Sequence, residues 1–350
     1  MKKTKIILSL ILVLAMTMCL TACGEKKEES SADGSFDYTK VIAENGYWKD
    51  VKALDYVELG DYSNITVNKT DINTEIAYFK QAYPAKEPDY DAVAEEGSTV
   101  NIDFIGYIDG EAFDNGSGTG YELTLGDGAM IPGFEDGILG MKPGEEKDIT
   151  ASFPDYYGVD ELNGKDAVFH ITLNYIVKHV DPEINDAFVL NNLYMEYGWS
   201  TVEDMNNGIK AQLALNSIKD ASTIKEVPES MISYQTDALV AYYKQYAQAY
   251  GLEFNDFLVS YVGCADEAGL REQSYDYCKS EAEYYLFIQA LAEEFGIVAS
   301  EDDVKTYYEK HYADNSELTY DDFVEGLTMP YLKNVVLPTL VQYHVLGLEK

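Results

Sequence analysis

The stretch LGDGAMIPGFEDGILG, residues 125–140, decides the fold of the middle of the chain. Its second part, 133–140, is the only segment between positions 91 and 180 that suits a helix, and that helix is short. Before it, Val100, Ile102 and Phe104 alternate with polar residues, as on one face of a strand. The middle of the chain therefore combines one short helix with strands.

Turn signals complete this pattern. Asp109-Gly110 is a strong hairpin signal. Further strands are predicted at 121–125, 147–153 and 167–179. Residues 91–180 are predicted to form a small antiparallel sheet wrapped on the short helix.

The segments on either side of 91–180 have different sequence patterns. Residues 53–90 predict a strand at 55–59 and a helix at 67–83 that ends before Pro84. From residue 181 onward glycine is scarce and a period of 3.6 residues dominates. Helices are predicted at 184–197, 201–225, 228–250, 253–262, 265–295, 301–311 and 320–346. The predicted class is α+β: the sheet domain, 91–180, attached to a larger all-α domain, 181–350.

Charge excludes one class of function. The 350 residues include 25 basic and 62 acidic side chains, a net charge of −37. Such a surface repels phosphate backbones, so nucleic acid is not an expected partner. It also repels anionic lipid, so contact with a membrane requires a separate cause.

The N-terminal sequence provides a separate cause for contact with a membrane. Lys2, Lys3 and Lys5 precede an apolar stretch, 6–18, of about 20 Å in helical length, which is too short for a bilayer core of about 30 Å. Residues 1–22 are therefore predicted to be a signal peptide. The end of this segment, LTACG at 20–24, resembles the lipobox of bacterial lipoproteins. The resemblance implies lipidation of Cys23 and a lipid-anchored flexible tether over 23–52; an ordinary secretory signal is the alternative.

Several motifs in the middle domain occur in a characteristic order. They are NIDFIG at 101–106, GEAFD at 110–114, the stretch at 125–140, MKPG at 141–144, FPDYYG at 153–158 and LNGKDAVFHITL at 162–173. Together they resemble the FKBP-type peptidyl-prolyl isomerase domain over about 90 residues.

This resemblance implies a proline pocket. Phe134 matches the residue at the pocket floor, Asp114 matches the single acidic pocket residue, and the Ile131 N–H matches the donor that holds a substrate carbonyl. Catalytic roles are assigned to Asp114, Phe134 and Tyr157. The implied substrate-binding walls are Phe104, Phe113, Tyr121, Met130, Ile131 and Phe169.

The chemistry explains why such a site is apolar. Rotation about a peptide bond costs about 18–20 kcal/mol because resonance is lost. A dry pocket that binds the twisted bond better than the planar one lowers this barrier. No cofactor and no metal are expected, and the four histidines lack metal-ligand spacing.

Two departures point to one branch of the family. Phe104 stands where many members carry tyrosine, and Phe134 stands where small members carry tryptophan. Both replacements, and the short loop at 158–165, resemble trigger factor. Residues 281–312 resemble the helix–cap–helix of its C-terminal domain, so the resemblance covers roughly 53–350.

One feature of trigger factor is missing. Its basic Gly-Phe-Arg-x-Gly-Lys ribosome-docking loop has no counterpart in 24–90, and Arg271 is the only arginine of the sequence. We therefore expect no ribosome binding. The expected function is a peptidyl-prolyl isomerase and chaperone for unfolded or X-Pro-containing exported polypeptides, anchored through Cys23 at the outer face of the cell membrane.

Alternatives stay open. A catalytically inactive holdase could retain the same fold, and a solute-binding lipoprotein is disfavoured because two alternating α/β lobes are lacking. Cys264 and Cys278 are expected to be free thiols, because a helix over 265–295 would separate them by about 21 Å against the 7 Å or so that a disulfide spans. A chaperone cradle is predicted from tyrosines 234, 242, 243, 246, 250, 284, 285, 307, 308 and 312, most of which could equally be core or ordinary surface.

Overall fold

The computed structural model of the chain describes residues 36–63, 65–312 and 318–348. The predicted signal peptide, Cys23 and the first part of the predicted tether lie outside the described residues. No helix in the described part of the chain is long and apolar enough to cross a membrane.

The helices and strands are numbered in chain order. The strands are β1 (Val57–Glu58), β2 (Ala85–Asp89), β3 (Thr99–Ile108), β4 (Glu111–Thr124), β5 (Glu146–Ser152), β6 (Asp166–Val180) and β7 (Thr223–Ile224). The first helices are α1 (Ala53–Tyr56), α2 (Lys69–Ala82), α3 (Phe134–Ile138), α4 (Asp186–Asn192), α5 (Tyr194–Tyr197) and α6 (Val202–Ala221). The later ones are α7 (Glu229–Ala249), α8 (Phe254–Phe257), a π-helical turn (Leu258–Val262), α9 (Glu267–Phe295), α10 (Glu301–His311), α11 (Tyr320–Leu327) and α12 (Met329–Leu346).

The chain divides into two compact units. The sheet unit is Ala77–Glu183, and the helical unit contains the other described residues, which lie between 36 and 76 and from 184 onward. The sheet unit is thus wider than the predicted 91–180. Residues 53–76, predicted as part of a separate N-terminal segment, belong to the helical unit.

The sheet unit is antiparallel throughout. Its strands follow the order β2-β6-β3-β4, and β5 also pairs with β6. On its inner face, Val100, Ile102, Ile171 and Leu173 are buried against Phe134 and the rest of α3. The α+β class, with a small antiparallel sheet on a short helix and a larger helical part, is confirmed.

Strand β2 was not predicted, because Pro84 and Pro88 suggested only the end of a helix. It pairs with the end of β6, with Pro88 opposite Val177. Proline lacks a backbone donor and is tolerated on an edge strand, where one side needs no ladder bonds. The edge position of β2 is consistent with this rule.

The helical unit is built around α9, which contacts α7, α12 and α1. Leu286, Phe287 and Leu291 of α9 are fully or almost fully buried. Asp266 caps the start of α9 by accepting the Gly269 N–H, and Gly296 follows its end with φ of +66°. This unit has a core of its own, separate from that of the sheet unit.

The prediction of a flexible tether as far as residue 52 is wrong for its described part. Trp48 is only 2% exposed and packs edge-on against Tyr234, with 4.6 Å between ring centroids. Its backbone N–H donates to the Gln289 side chain at 3.0 Å, and that side chain donates to the Val51 carbonyl at 2.7 Å. Buried apolar area and satisfied backbone groups therefore fix this segment on the helical unit.

The predicted strand at 55–59 is largely a helical turn followed by two strand residues. The two carboxylate oxygens of Glu293 accept the N–H groups of Ala53 and Leu54, at 2.9 and 3.0 Å. These bonds satisfy the free donors at the start of α1. Only Val57 and Glu58 then extend, pairing with β7.

Two predicted helices are broken. The helix at 184–197 divides at Leu193, where the Asn192 side chain donates to the Phe188 carbonyl at 2.8 Å and competes with the helix ladder. The helix at 320–346 divides at Thr328, whose φ is +64°. Pro330 lies in the first turn of α12 as a result, where its missing N–H costs nothing.

Most of the predicted tyrosine cradle belongs to the core. Tyr234 is buried, and tyrosines 284, 285, 307, 308 and 312 pack against the core cluster. Tyr242, Tyr243 and Tyr246 are half-buried, and Tyr250 is 57% exposed. Cys264 and Cys278 are free, the first half-buried and the second buried.

One carboxyl group lies inside the helical unit. Glu281 of α9 is 7% exposed, and burial raises its pKa to about 7 against a smaller lowering by the Lys219 charge. This value is above the ordinary 4.5, so the unfolded chain releases the proton first as pH rises. The stability contributed by protonated Glu281 is full below about pH 4.5 and is lost as pH rises through about 7.

We expect Glu281→Gln to remove this pH dependence. Between pH 5 and 8, the free energy of unfolding of the wild type should fall by up to about 3 kcal/mol relative to that of the variant, because the pKa shift of Glu281 is coupled to folding. Urea unfolding at several pH values measures it. Glu272→Gln, at an exposed position of the same helix, is the matched control. A stability difference between wild type and Glu281→Gln that stays flat with pH would contradict the assignment.

Candidate functional site

The sheet unit contains a cleft of about 590 Å³. Residues from β3, β4, β6, the loop before α3 and the loop after β5 form its walls. Its lining is Phe104, Phe113, Asp114, Asn115, Gly116, Ala129, Met130, Ile131, Pro132, Phe153, Pro154, Tyr157, Val159, Glu161, Leu162 and Phe169. The cleft is therefore mainly apolar and aromatic, with two carboxylates.

Aromatic rings form the walls by edge-to-face packing. Phe169 lies 6.2 Å from Phe104 and 6.0 Å from Phe113, measured between ring centroids. Phe113 also meets Phe153 at 5.8 Å. Such pairs are the preferred geometry of aromatic rings and hold each wall against its neighbours.

Two glycines make room for these rings. A Cβ atom at Gly106 would lie 2.6 Å from Phe113 and 2.7 Å from Phe169. A Cβ atom at Gly118 would lie 2.6 Å from Phe104. The strands can carry the rings at these positions because the facing residues have no side chain.

Phe134 lies beneath the cleft and is not part of its lining. It is fully buried, and its ring lies 5.0 Å from Phe169 and 5.5 Å from Phe104. Its position corresponds to a floor that supports the wall residues. Its predicted catalytic role stays a prediction.

Tyr121, expected in the pocket wall, is outside the lining. It is 43% exposed, and its ring centroid lies 5.9 Å from that of Phe104 in a T-shaped arrangement. A register shift between Ile102 and Phe104 in the β3–β4 ladder changes the alternation of β4 just before this residue. The family resemblance, which placed Tyr121 in the wall, carries no information about this local bulge.

Asp114 is exposed and lines the cleft. Its carboxylate has no hydrogen-bond partner in the described part of the chain. This agrees with phenylalanine at position 104, which offers no hydroxyl group. Asp114 therefore contributes an uncompensated negative charge to an otherwise apolar wall.

The loop after β5 holds Tyr157 against the cleft. The Tyr157 N–H donates to the Asn163 side chain at 2.8 Å, and its ring lies 4.8 Å from Phe153. The loop closes through a hydrogen bond from the Phe153 N–H to the Lys165 carbonyl at 2.9 Å. These contacts fix the short loop around the ring.

The backbone of Ile131 lies at the cleft wall, and its expected role as the donor to a substrate carbonyl stays a prediction. Its carbonyl accepts the Phe134 N–H at 3.1 Å, where α3 begins. Its own N–H donates to no other group among the described residues. A backbone donor beside an apolar wall is thus available to a carbonyl that enters the cleft.

The cleft brings together most of the predicted residues: Phe104, Phe113, Asp114, Met130, Ile131, Tyr157 and Phe169. The lining residues that sequence reasoning did not assign to the site are Asn115, Gly116, Ala129, Pro132, Phe153, Pro154, Val159, Glu161 and Leu162. Phe153 and Leu162 begin two of the quoted motifs, so that signal was present but was given no role. The described residues contain no cluster of histidine, cysteine and carboxylate side chains able to hold a metal ion.

Family comparisons agree with this geometry. Residues 91–174 match the FKBP-type peptidyl-prolyl cis-trans isomerase family, and residues 201–344 match the C-terminus of bacterial trigger factor. Trigger factor of Staphylococcus saprophyticus is 33% identical over 279 residues, which cover 73% of this chain and 62% of the relative. The chain is thus similar to trigger factor, with one region of the FKBP isomerase type and one that resembles the trigger factor C-terminus. The prediction that its middle domain is of the FKBP isomerase type is confirmed.

Other matches define the extent of the similarity. Trigger factor of Staphylococcus aureus strain Newman is 33% identical over 278 residues, again 73% of this chain and 62% of the relative. The chain thus spans less than two thirds of the length of these relatives. A solved structure of the trigger factor chaperone is 19% identical over 82% of this chain and 72% of its own, with a TM-score of 0.26. That score is too low for the two folds to be compared as wholes.

The burial of the site residues predicts which substitutions destabilise the sheet unit. Phe134→Ala should lower its free energy of unfolding by about 3–5 kcal/mol, because the substitution leaves a large cavity in the core. Tyr157→Ala should cost about 1 kcal/mol or less, because the ring is 46% exposed. Hydrogen exchange of the β3 and β6 amides in the whole chain measures both. Equal effects of the two substitutions would contradict the placement of Phe134 in the core.

Proposed function

We propose that this chain is a peptidyl-prolyl cis-trans isomerase with chaperone activity, acting on exported polypeptides at the outer face of the cell membrane. The observation that carries the isomerase activity is the aromatic cleft in the domain of the FKBP type. Its volume of about 590 Å³ is within the size range of small-ligand pockets. A proline ring with its neighbouring residues is the substrate.

The cleft can lower the rotational barrier without covalent chemistry. Phe104, Phe113 and Phe169 would hold the proline ring in an apolar environment, and the Ile131 N–H would bind a substrate carbonyl. Resonance makes the planar amide more polar than the twisted amide, so water stabilises the planar form more strongly, and a dry site removes this part of the barrier. Catalysis then follows from tighter binding of the twisted bond than of the planar bond.

Exposed apolar surface in the helical unit supports the chaperone activity. Tyr250, Val259 and Tyr261 are 57%, 61% and 60% exposed, respectively. Tyr250 and Tyr261 lie 5.3 Å apart between ring centroids, and both contact Phe257. Tyrosine presents a large apolar body with a polar tip, which suits weak binding of varied unfolded segments.

The N-terminal sequence supports membrane anchoring. The basic and apolar stretches of 1–22, followed by Cys23 in a lipobox-like context, are the features on which this part of the proposal rests. A net charge of −37 disfavours association with the RNA-rich surface of a ribosome. The proposed clients are therefore exported chains instead of nascent ones.

The isomerase activity is tested with a Phe-Pro tetrapeptide and purified residues 24–350. The wild type should accelerate cis-trans exchange, and Tyr157→Ala should lower kcat/KM roughly tenfold, equivalent to about 1.4 kcal/mol. Tyr156→Ala is the matched control, because Tyr156 is 96% exposed and lies outside the lining. Circular dichroism confirms that each variant is folded.

A folded wild type that gives no acceleration would overturn the isomerase proposal. The apolar surface of the helical unit would then carry the function, and the protein would be a holdase. Equal losses in Tyr156→Ala and Tyr157→Ala would place the active site elsewhere.

Membrane anchoring is tested by labelling the full chain with radioactive palmitate in a bacterial host. The wild type should incorporate the label and fractionate with membranes, and Cys23→Ser should do neither. Cys19→Ser is the control, because this residue lies within the predicted signal peptide. Unlabelled wild-type protein released into the medium would contradict the anchor and favour an ordinary secretory signal.

A further inference from the structure

The carboxylate of Glu135 accepts several hydrogen bonds from the backbone of the loop before α3. One oxygen accepts the N–H groups of Gly126 and Gly128 at 2.8 and 3.1 Å. The other oxygen accepts the Met130 N–H at 3.0 Å. Three donors from five consecutive residues therefore converge on one side chain.

The loop backbone is shaped for this convergence. Gly126 and Gly128 have φ of +97° and +69°, in the left-handed region that glycine adopts without steric cost. A side chain at Gly126 would also collide with the carboxylate of Glu96. The Glu96 side chain is exposed and can move, so the positive φ values are what favour glycine at positions 126 and 128.

The carboxylate is the form that the loop requires. Burial tends to raise the pKa of Glu135, but the hydrogen bonds from Met130, Gly126 and Gly128 outweigh it, and the pKa is lowered below its ordinary value. Hydrogen bonds from backbone N–H groups to an ionised acceptor are stronger than those between neutral groups. Glutamine keeps only one acceptor oxygen, so its NH₂ group would face either the Met130 N–H or the N–H groups of Gly126 and Gly128 and leave them unsatisfied.

The loop ends on the cleft. Met130, the last of the three donors, and Ile131, which follows it, both line the wall. Phe134, on the other side of the Pro132-Gly133 turn, supports Phe104 and Phe169 from below. Glu135 is therefore linked to two wall residues through the loop and to the floor through the adjacent peptide bond.

We infer that Glu135 is a positioning residue of the isomerase site: by holding the N–H groups of Gly126, Gly128 and Met130, it fixes the Met130 side chain and the Ile131 N–H at the cleft wall. This inference rests on the proposed isomerase function. Glu135 itself does not line the cleft. Its effect on the reaction passes through the loop alone.

The test compares Glu135→Gln with Asp136→Asn. Asp136 is exposed in the same turn, and the substitution removes the same charge without touching the loop. On the Phe-Pro tetrapeptide, folded Glu135→Gln should lose roughly tenfold to hundredfold in kcat/KM, with KM raised, because small displacements of binding groups have effects of this size. Asp136→Asn should match the wild type.

The KM value separates positioning from a structural role. A substitution that only lowers the folded fraction reduces the apparent kcat and leaves KM unchanged. A decrease of this kind, or wild-type kinetics in folded Glu135→Gln, would overturn the inference. An inactive wild type would overturn the proposed function and this inference with it. An active wild type together with unchanged kinetics in Glu135→Gln would overturn the inference alone.

A second measurement does not depend on the variant being folded. In the wild type, the amide protons of Gly126, Gly128 and Met130 should exchange with solvent as slowly as those within α3. Fast exchange of these amides would show that Glu135 does not hold the loop, and would overturn the inference.

Discussion

The cleft depends on one packing constraint: Phe134 must be buried beneath the wall rings. Its ring is fully buried and contacts Phe104 and Phe169 edge-on. With this support, the wall rings cannot fall inward to fill the cleft, because closely packed interiors adjust little around a large side chain. The same residue begins α3 and lies beside Glu135, so the floor, the short helix and the preceding loop are one assembly. An apolar cleft open to water is unfavourable by itself, and the buried core beneath it offsets that cost.

A second constraint is the excess of acid over base. With 62 acidic and 25 basic side chains, most carboxylates cannot find a cationic partner. The structure uses many of them as acceptors for backbone N–H groups instead. Glu293 holds the start of α1, Asp303 and Asp322 complete capping boxes on α10 and α11, and Glu135 gathers the loop before α3. Arg271 in turn binds Asp237 and Glu267 together. Negative charge is thus part of the local architecture as well as a property of the surface.

The limits of prediction from the sequence have identifiable causes. The central strands, the short helix and the long helices could be predicted from the sequence, because glycine turns and periodic apolar residues are typical of particular secondary structures. The ordered motifs likewise located seven of the cleft residues. Long-range contacts account for the errors: Trp48 and its neighbours become ordered only against helices nearly 200 or more residues away in sequence, and β2 exists only because β6 extends far enough to pair with it. Tyr121, which the resemblance placed in the wall, follows a bulge and lies outside the lining, and the helix breaks at Thr328, so that Pro330 lies in the first turn of α12. None of these features produces a periodic pattern of apolar residues from which it could be predicted.

Two separate cores have a functional consequence under the proposed activity. Uncatalysed X–Pro exchange takes tens to hundreds of seconds, and a polypeptide waiting for it keeps apolar surface exposed throughout that time. An isomerase shortens the wait, whereas an apolar binding surface covers the client while it lasts. The two tasks make opposite demands: the cleft needs rigid, supported rings, and a surface for varied clients needs exposed and adaptable ones. Phe169 lies over a buried floor in the core of one unit, whereas Tyr250 and Tyr261 lie on the surface of the other, so each demand is met within its own unit.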